Sequence, residues 1–245
     1  MKRILKSMMA AMLIVVMTLL EPGGYLGPVN AALSSKYLPF ELNGVEWELT
    51  LDEDKIACVD LRNIKGENVT LEFPSCKKME EVIEIPSKYS SLDLPGSLLT
   101  SKGQGKFPYL STVNAEVDLS KVSKIEVHED WPRFPRWEAS YHADRDLTFV
   151  NNTSINEIEI DTDNQNDMEF CTGIFSGMKE LKKVNINVGS SNTLILNGSV
   201  FKDCTKLEQV TLTGQSVKLE GGANFSGCTS LTNITINGST IVSCK

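Results

Sequence analysis

"FKDCTKLEQVTL", residues 201 to 212, sets its apolar side chains at two different periods. Phe201, Cys204 and Leu207 recur every third residue, which suits one or two tight helical turns with a single inward face. From Val210 the pattern becomes strict alternation, Val210-Thr211-Leu212-Thr213, as in a short strand with one apolar face. The stretch also has relatives within the chain: "FVNNTSINEIEI" from Phe149, "FSGMKELKKVNI" from Phe175 and "FSGCTSLTNITI" from Phe225. All four keep Phe, then Asn, Met or Cys at +3, Ile or Leu at +6, Val or Ile at +9, and Ile or Leu at +11. Their phenylalanines stand 26, 26 and 24 residues apart.

A second apolar pair, Leu194/Leu196 and then Val217/Leu219, precedes the next Phe after a turn rich in Gly, Ser and Asn. Each unit therefore reads as a strand, a turn, a second short strand and a helical corner. Alone, such a unit leaves its apolar side in water. Stacked on a neighbour, each Phe, Leu and Val meets its own equivalent, which stabilises the stack by about 1.5–3 kcal/mol per fully buried side chain. The expectation is a solenoid with parallel sheets along its length.

The +3 slot bears on chemistry, because Cys76, Cys204 and Cys228 all occupy it where other copies use Met178 and Asn152. A slot that accepts Cys, Met and Asn asks for a modest side chain beneath a turn, and free Cys packs as a small hydrophobe. The six cysteines are an even number, which makes disulfides arithmetically possible. Side chains stacked in a ladder run parallel, however, so thiols are expected on it. Cys58, Cys171 and Cys244 lie off the ladder.

With these residues in view, the sequence resembles the BspA-like leucine-rich repeats of bacterial surface proteins, whose unit reads F-x2-C-x2-L-x2-[VI]-x-[IL]. Phe201, Cys204, Leu207, Val210 and Leu212 carry the match, as do Phe225, Cys228, Leu231, Ile234 and Ile236. A further copy begins at Phe73, Cys76, Met79 and Val82. The fold class expected is a mixed α/β repeat solenoid, a leucine-rich-repeat-like stack of short strands with helical corners and a strand-rich N-terminal opening. Within a single solenoid over 32–245, strand-rich units occupy 43–85, degenerate units 86–148 and regular repeats 149–245. The resemblance implies a secreted or surface-associated recognition or adhesion module, without catalytic residues to carry over.

Residues 1–31 read as a signal peptide: "MKRILK", an apolar run from Met8 to Leu20, and small residues at Val29-Asn30-Ala31-Ala32. After cleavage no integral membrane span is expected. Removing Lys2, Arg3, Lys6 and Glu21 leaves 21 basic and 31 acidic residues, a formal charge of −10. An acidic chain without basic runs disfavours nucleic acid as a partner.

The pattern lapses at "HEDWPRFPRWEASYHADRD", residues 128–146, where Pro132 and Pro135 oppose a continuous helix or central strand. Trp131, Arg133, Phe134, Arg136, Trp137 and Tyr141 are candidates for contact with a host or neighbouring-cell glycan or protein, since flat rings suit sugars and Arg suits hydroxyls and carboxylates. His128 and His142, with Glu129, Asp130, Asp144 and Asp146, resemble a metal set only loosely, so no metal or other cofactor is expected. "DTDNQNDME", from Asp161, has oxygen side chains at alternate positions but lacks the Gly and Glu of a calcium loop, and reads as a polar turn. The outward strand positions form a weaker candidate face: Asn185, Asn187, Thr211, Thr213, Thr235 and Asn237.

Only "STIVSCK" follows the last turn, so self-association through an open C-terminal sheet edge is expected as well. The functional expectation is thus a non-catalytic extracellular recognition or adhesion module. Its alternatives are a self-associating structural component of the cell envelope and a metal-dependent hydrolase using residues 128–146.

Overall fold

The computed structural model describes residues 37–52, 55–74, 112–113, 117–128, 136–137, 148–162 and 167–243. The chain enters through an antiparallel meander, β1 (Tyr37–Leu42), β2 (Val45–Asp52) and β3 (Lys55–Ile64). The β1–β2 connection is Asn43-Gly44, with φ of 49° and 78°. Two positive φ values in a two-residue loop match the twist of the flanking strands, which is why Asn-Gly sits there. Two short strands extend this sheet in parallel, β5 (Thr112–Val113) and β7 (Arg136–Trp137). β7 falls directly after Pro135, at the sheet edge where a missing N–H is tolerated.

The second sheet is the stack itself. Parallel, in-register strands run β4 (Val69–Phe73), β6 (Val122–Val127), β8 (Glu157–Asp161), β10 (Lys183–Asn187), β12 (Gln209–Glu220) and β13 (Asn233–Ser243). The second strand of each rung forms its own ladder: β9 (Met168–Phe170), β11 (Thr193–Asn197), then the far halves of β12 and β13. The alternation read from sequence supplies the inner rows. Leu71, Ile125, Ile158, Val184 and Val210 align in one, and Phe73, Val127, Ile160, Ile186 and Leu212 in the next. All ten are at most 1% exposed. At the corners the phenylalanines stack from rung to rung, with centroids 5.7 Å apart for Phe149–Phe175, 5.5 Å for Phe175–Phe201 and 5.8 Å for Phe201–Phe225.

One feature of the expected fold class is corrected. Among the described residues there is no α-helix, and the one 3₁₀ turn, Leu119–Lys121, lies outside the Phe corners. Each corner is instead a chain of single turns: the N–H of Cys204 donates to the Phe201 carbonyl, and that of Leu207 to the Cys204 carbonyl. The three-residue spacing is thus real, but a helix does not grow from it. The intervening N–H groups are committed to the next rung, Phe201 to the Asn224 carbonyl and Asp203 to the Ser226 carbonyl. The residue at +2 is also left-handed in every corner: Asn151, Gly177, Asp203 and Gly227 have φ of 59°, 71°, 60° and 78°. A helix needs neither feature and tolerates neither.

Candidate functional site

The alternation that buries one face of the long parallel sheet presents the other as three polar rows. Register places Thr70, Lys124, Glu157, Lys183, Gln209 and Asn233 in the first. The second holds Glu72, Glu126, Glu159, Asn185, Thr211 and Thr235. The third holds Asp161, Asn187, Thr213 and Asn237. Adjacent strands bring side chains of one row within about 5 Å of each other, so each row behaves as a ladder.

Each outer row carries side-chain bonds between its own members. Lys183 Nζ donates to Glu157 Oε1 at 2.8 Å in the first. In the third, Asn187 Nδ2 donates to Asp161 Oδ1 at 2.7 Å and Asn237 Nδ2 to Thr213 Oγ1 at 3.1 Å. The middle row divides into two halves. Asn185, Thr211 and Thr235 are half-buried and make no side-chain hydrogen bond among the described residues. Glu72, Glu126 and Glu159 form the other half, three carboxylates on adjacent strands.

That acidic half is where the chain gathers titratable groups. Lys124 Nζ lies 2.5 Å from Glu159 Oε2 and 3.9 Å from Glu126 Oε1. The Lys124 hydrogen bond holds the Glu159 carboxyl below its ordinary value, against the opposing effect of burial. Glu72 is 5% exposed. Its Oε2 accepts from Asn43 Nδ2 at 2.5 Å, while its buried Oε1 has no hydrogen-bond partner. Leaving such an atom unsatisfied costs about 1–3 kcal/mol. His128, just beyond β6, sets Nε2 3.1 Å from Glu72 Oε1 and 3.4 Å from Glu126 Oε1. The first contact is within ion-pair distance without the alignment of a hydrogen bond.

The residues singled out in the sequence distribute unevenly over this geometry. Trp131, Arg133, Phe134, Tyr141 and His142 lie outside the described residues, as do Glu129, Asp130, Asp144 and Asp146. Arg136 and Trp137 form β7. His128 keeps company with Glu72 and Glu126 rather than with the acids adjacent to it in sequence. Sequence spacing alone does not join Glu72 to Glu126; the register between β4 and β6 does. The available signal was Glu72's place directly before Phe73, an outward strand position beside an inward ladder residue. In the polar stretch from Asp161, the three described acids are all taken by the next rung. Asp161 accepts from Asn187, Asp167 from the Thr193 N–H and Glu169 from Asn197.

The ladder cysteines answer the question their spacing raised. Cys171, Cys204 and Cys228 are free thiols. Cys204 Sγ donates to the Phe175 carbonyl at 3.1 Å, and Cys228 Sγ to the Phe201 carbonyl at 3.0 Å, each reaching back one rung. Burial pushes the Cys204 thiol up to about 12, so it holds its proton at neutral pH and offers no thiolate nucleophile.

No helix among the described residues is long and apolar enough to cross a membrane. No curated protein matches the chain, and no solved structure does. Residues 145–243 match the model of the BspA type leucine rich repeat region, in six copies. This interval contains the stacked Phe corners and the strands β8 to β13. The repeat array over these residues is thus similar to BspA-type leucine-rich repeats.

Proposed function

We propose that the chain is a non-catalytic extracellular recognition module that docks a protein or glycan partner on the outer face of its long parallel sheet. The observation that carries this reading is the neutral half of the middle row. Asn185, Thr211 and Thr235 stand in register on adjacent strands, half-buried, with hydrogen-bonding capacity that no described neighbour uses. A flat row of such groups suits an extended partner that supplies the complementary donors and acceptors, as solenoid faces commonly do. The repeat family of residues 145–243 supports a binding role, and the export signal read at residues 1–31 supports an extracellular setting. The aromatic segment 128–146, with Trp131, Arg133, Phe134, Arg136, Trp137 and Tyr141, is a second contact surface in this proposal.

The test is a screen of the chain from Ala32 onward against glycans, matrix proteins and cell-wall fragments. Thr211→Arg tests the sheet face, and Trp131→Ala with Trp137→Ala tests the aromatic segment. A bound partner lost in Thr211→Arg, with the circular dichroism spectrum unchanged, supports docking on the sheet. Loss in the tryptophan variants alone moves the site to the insertion.

A second reading, a self-associating envelope component, has its own observation. Ile241 and Val242 on β13 are 48% and 63% exposed, on a strand with no charged side chain to discourage pairing. Concentration-dependent mass by light scattering, with no partner bound in the screen, would favour it.

A further inference from the structure

We propose that Glu72, Glu126 and His128 form a binding site for one divalent transition-metal ion of the zinc class. The three residues come from two paired strands and the residue that follows the second, and each offers one ligand atom within 4.8 Å of the others. Ligands about 2.0–2.1 Å from a tetrahedral ion stand about 3.3 Å from one another. His128 Nε2 lies 3.1 Å from Glu72 Oε1 and 3.4 Å from Glu126 Oε1, so both measured edges match that figure.

A second observation points the same way. Glu72 Oε1 is buried and faces His128, yet has no hydrogen bond. Its partner oxygen is fixed by Asn43 Nδ2, an arrangement that holds the carboxylate while leaving the other oxygen for a cation. Lys124, the nearby ammonium, is drawn to Glu159 and stands 3.9 Å from Glu126. Two carboxylates and one imidazole suit zinc better than calcium or magnesium, which prefer all-oxygen sets. The Glu126 and His128 side chains are 25% and 33% exposed, so the fourth position opens to water. This inference stands apart from the recognition reading, since it uses the acidic half of the row and requires no partner.

The experiment strips the full untagged chain with chelator and titrates it with zinc ion by calorimetry, with magnesium and calcium as controls. Variants His128→Asn, Asn43→Gly and His142→Asn are titrated alongside. Asn43→Gly keeps a residue suited to the hairpin φ of 49° and removes only the bond to Glu72. About one zinc per chain is expected, with a melting temperature that rises on binding. His128→Asn abolishes the binding, Asn43→Gly weakens it about tenfold, and His142→Asn leaves it unchanged. Absence of zinc binding overturns the proposal, as does binding that survives His128→Asn or is lost in His142→Asn. Should His128→Asn fail to fold, an affinity unchanged in Asn43→Gly overturns it instead.

Discussion

The rungs that open at Phe201 and Phe225 follow one sequence pattern but differ in burial. Phe201, Cys204, Leu207, Val210 and Leu212 are at most 1% exposed. Phe225, Cys228, Leu231 and Ile236 are only partly buried, and Ile234 is 44% exposed. Phe201 lies between two rings, 5.5 Å from Phe175 and 5.8 Å from Phe225, whereas Phe225 has a described ring on one side alone. Burial here is a property of the interface between units and not of the unit, so stability accrues per interface as in a one-dimensional lattice. A repeat motif in the sequence identifies which side chains are able to be buried; the neighbouring rung decides which are.

Truncating the two rings separates the interior rung from the Phe225 rung most directly. Phe201→Ala is expected to cost about 3–5 kcal/mol, because a void between two fixed rings cannot close. Phe225→Ala is expected to cost about half as much, since part of its ring already faces solvent in the folded chain. Urea denaturation followed by circular dichroism gives both numbers. Equal losses would show that the Phe225 rung is supported as fully as the interior one.

A smaller effect sharpens the account of the corners. Gly177 has a φ of 71°, and a Cβ placed there would overlap the side-chain oxygen of Asn151 on the preceding rung. Gly227 stands in the same relation to Asp203. The +2 slot therefore alternates Asn, Gly, Asp, Gly: one side chain occupies the space above the next rung's glycine. Gly177→Ala is expected to cost about 1–3 kcal/mol from the left-handed backbone, with the overlap added. Gly222 has a φ of 65° and nothing within 4 Å of the same point, so Gly222→Ala reports the backbone strain alone. The difference between the two measures the overlap, and Asn151→Gly combined with Gly177→Ala should abolish that difference. A Gly177→Ala chain no less stable than Gly222→Ala would remove the alternation argument.

These corners also mark what the sequence made legible and what it did not. The inner rows and the two ladders of strands were readable because alternation has one structural meaning once it recurs at a fixed interval. The Phe, +3, +6 spacing has two meanings, since three residues per turn describes both a 3₁₀ helix and a run of separate turns. The deciding residues, Asn151, Gly177, Asp203 and Gly227, share a left-handed backbone but not one residue type, so the ladder at +2 leaves no letter common to all four corners in the sequence. The acidic cluster was hidden for another reason. Glu72 and Glu126 are 54 positions apart in the sequence, across a stretch where the repeat pattern fails, and only strand register unites them. Nothing local to His128 in the sequence shows that its strand ends beside Glu72.

The smallest expected effect contrasts the two ends of the polar face through their ion pairs. Lys124 and Glu159 meet at 2.5 Å with both side chains at most one-third exposed, while Lys183 and Glu157 meet at 2.8 Å with the lysine half-exposed. The Lys124 hydrogen bond lowers the Glu159 carboxyl below its ordinary value, so its stabilisation is present above about pH 4.5 and is lost as pH falls through the depressed folded-state value. For Lys124, burial acts to lower the ammonium, but Glu159, Glu126 and Glu157 outweigh it and the net direction is up. That contribution is complete below about pH 10.5 and disappears as pH rises past the folded-state value. The pair therefore stabilises the fold across the whole neutral range. Lys124→Met is expected to cost about 0.5–1 kcal/mol at pH 7 and progressively less as pH falls through the depressed folded-state value of Glu159. Lys183→Met should cost less at pH 7, because water screens the exposed pair. Thermal melts of both variants and the parent across that range check the ordering. A Lys124→Met penalty independent of pH would assign the lysine's role to its alkyl stem instead, packed along the sheet, and leave the charge of Glu159 without influence on the stack.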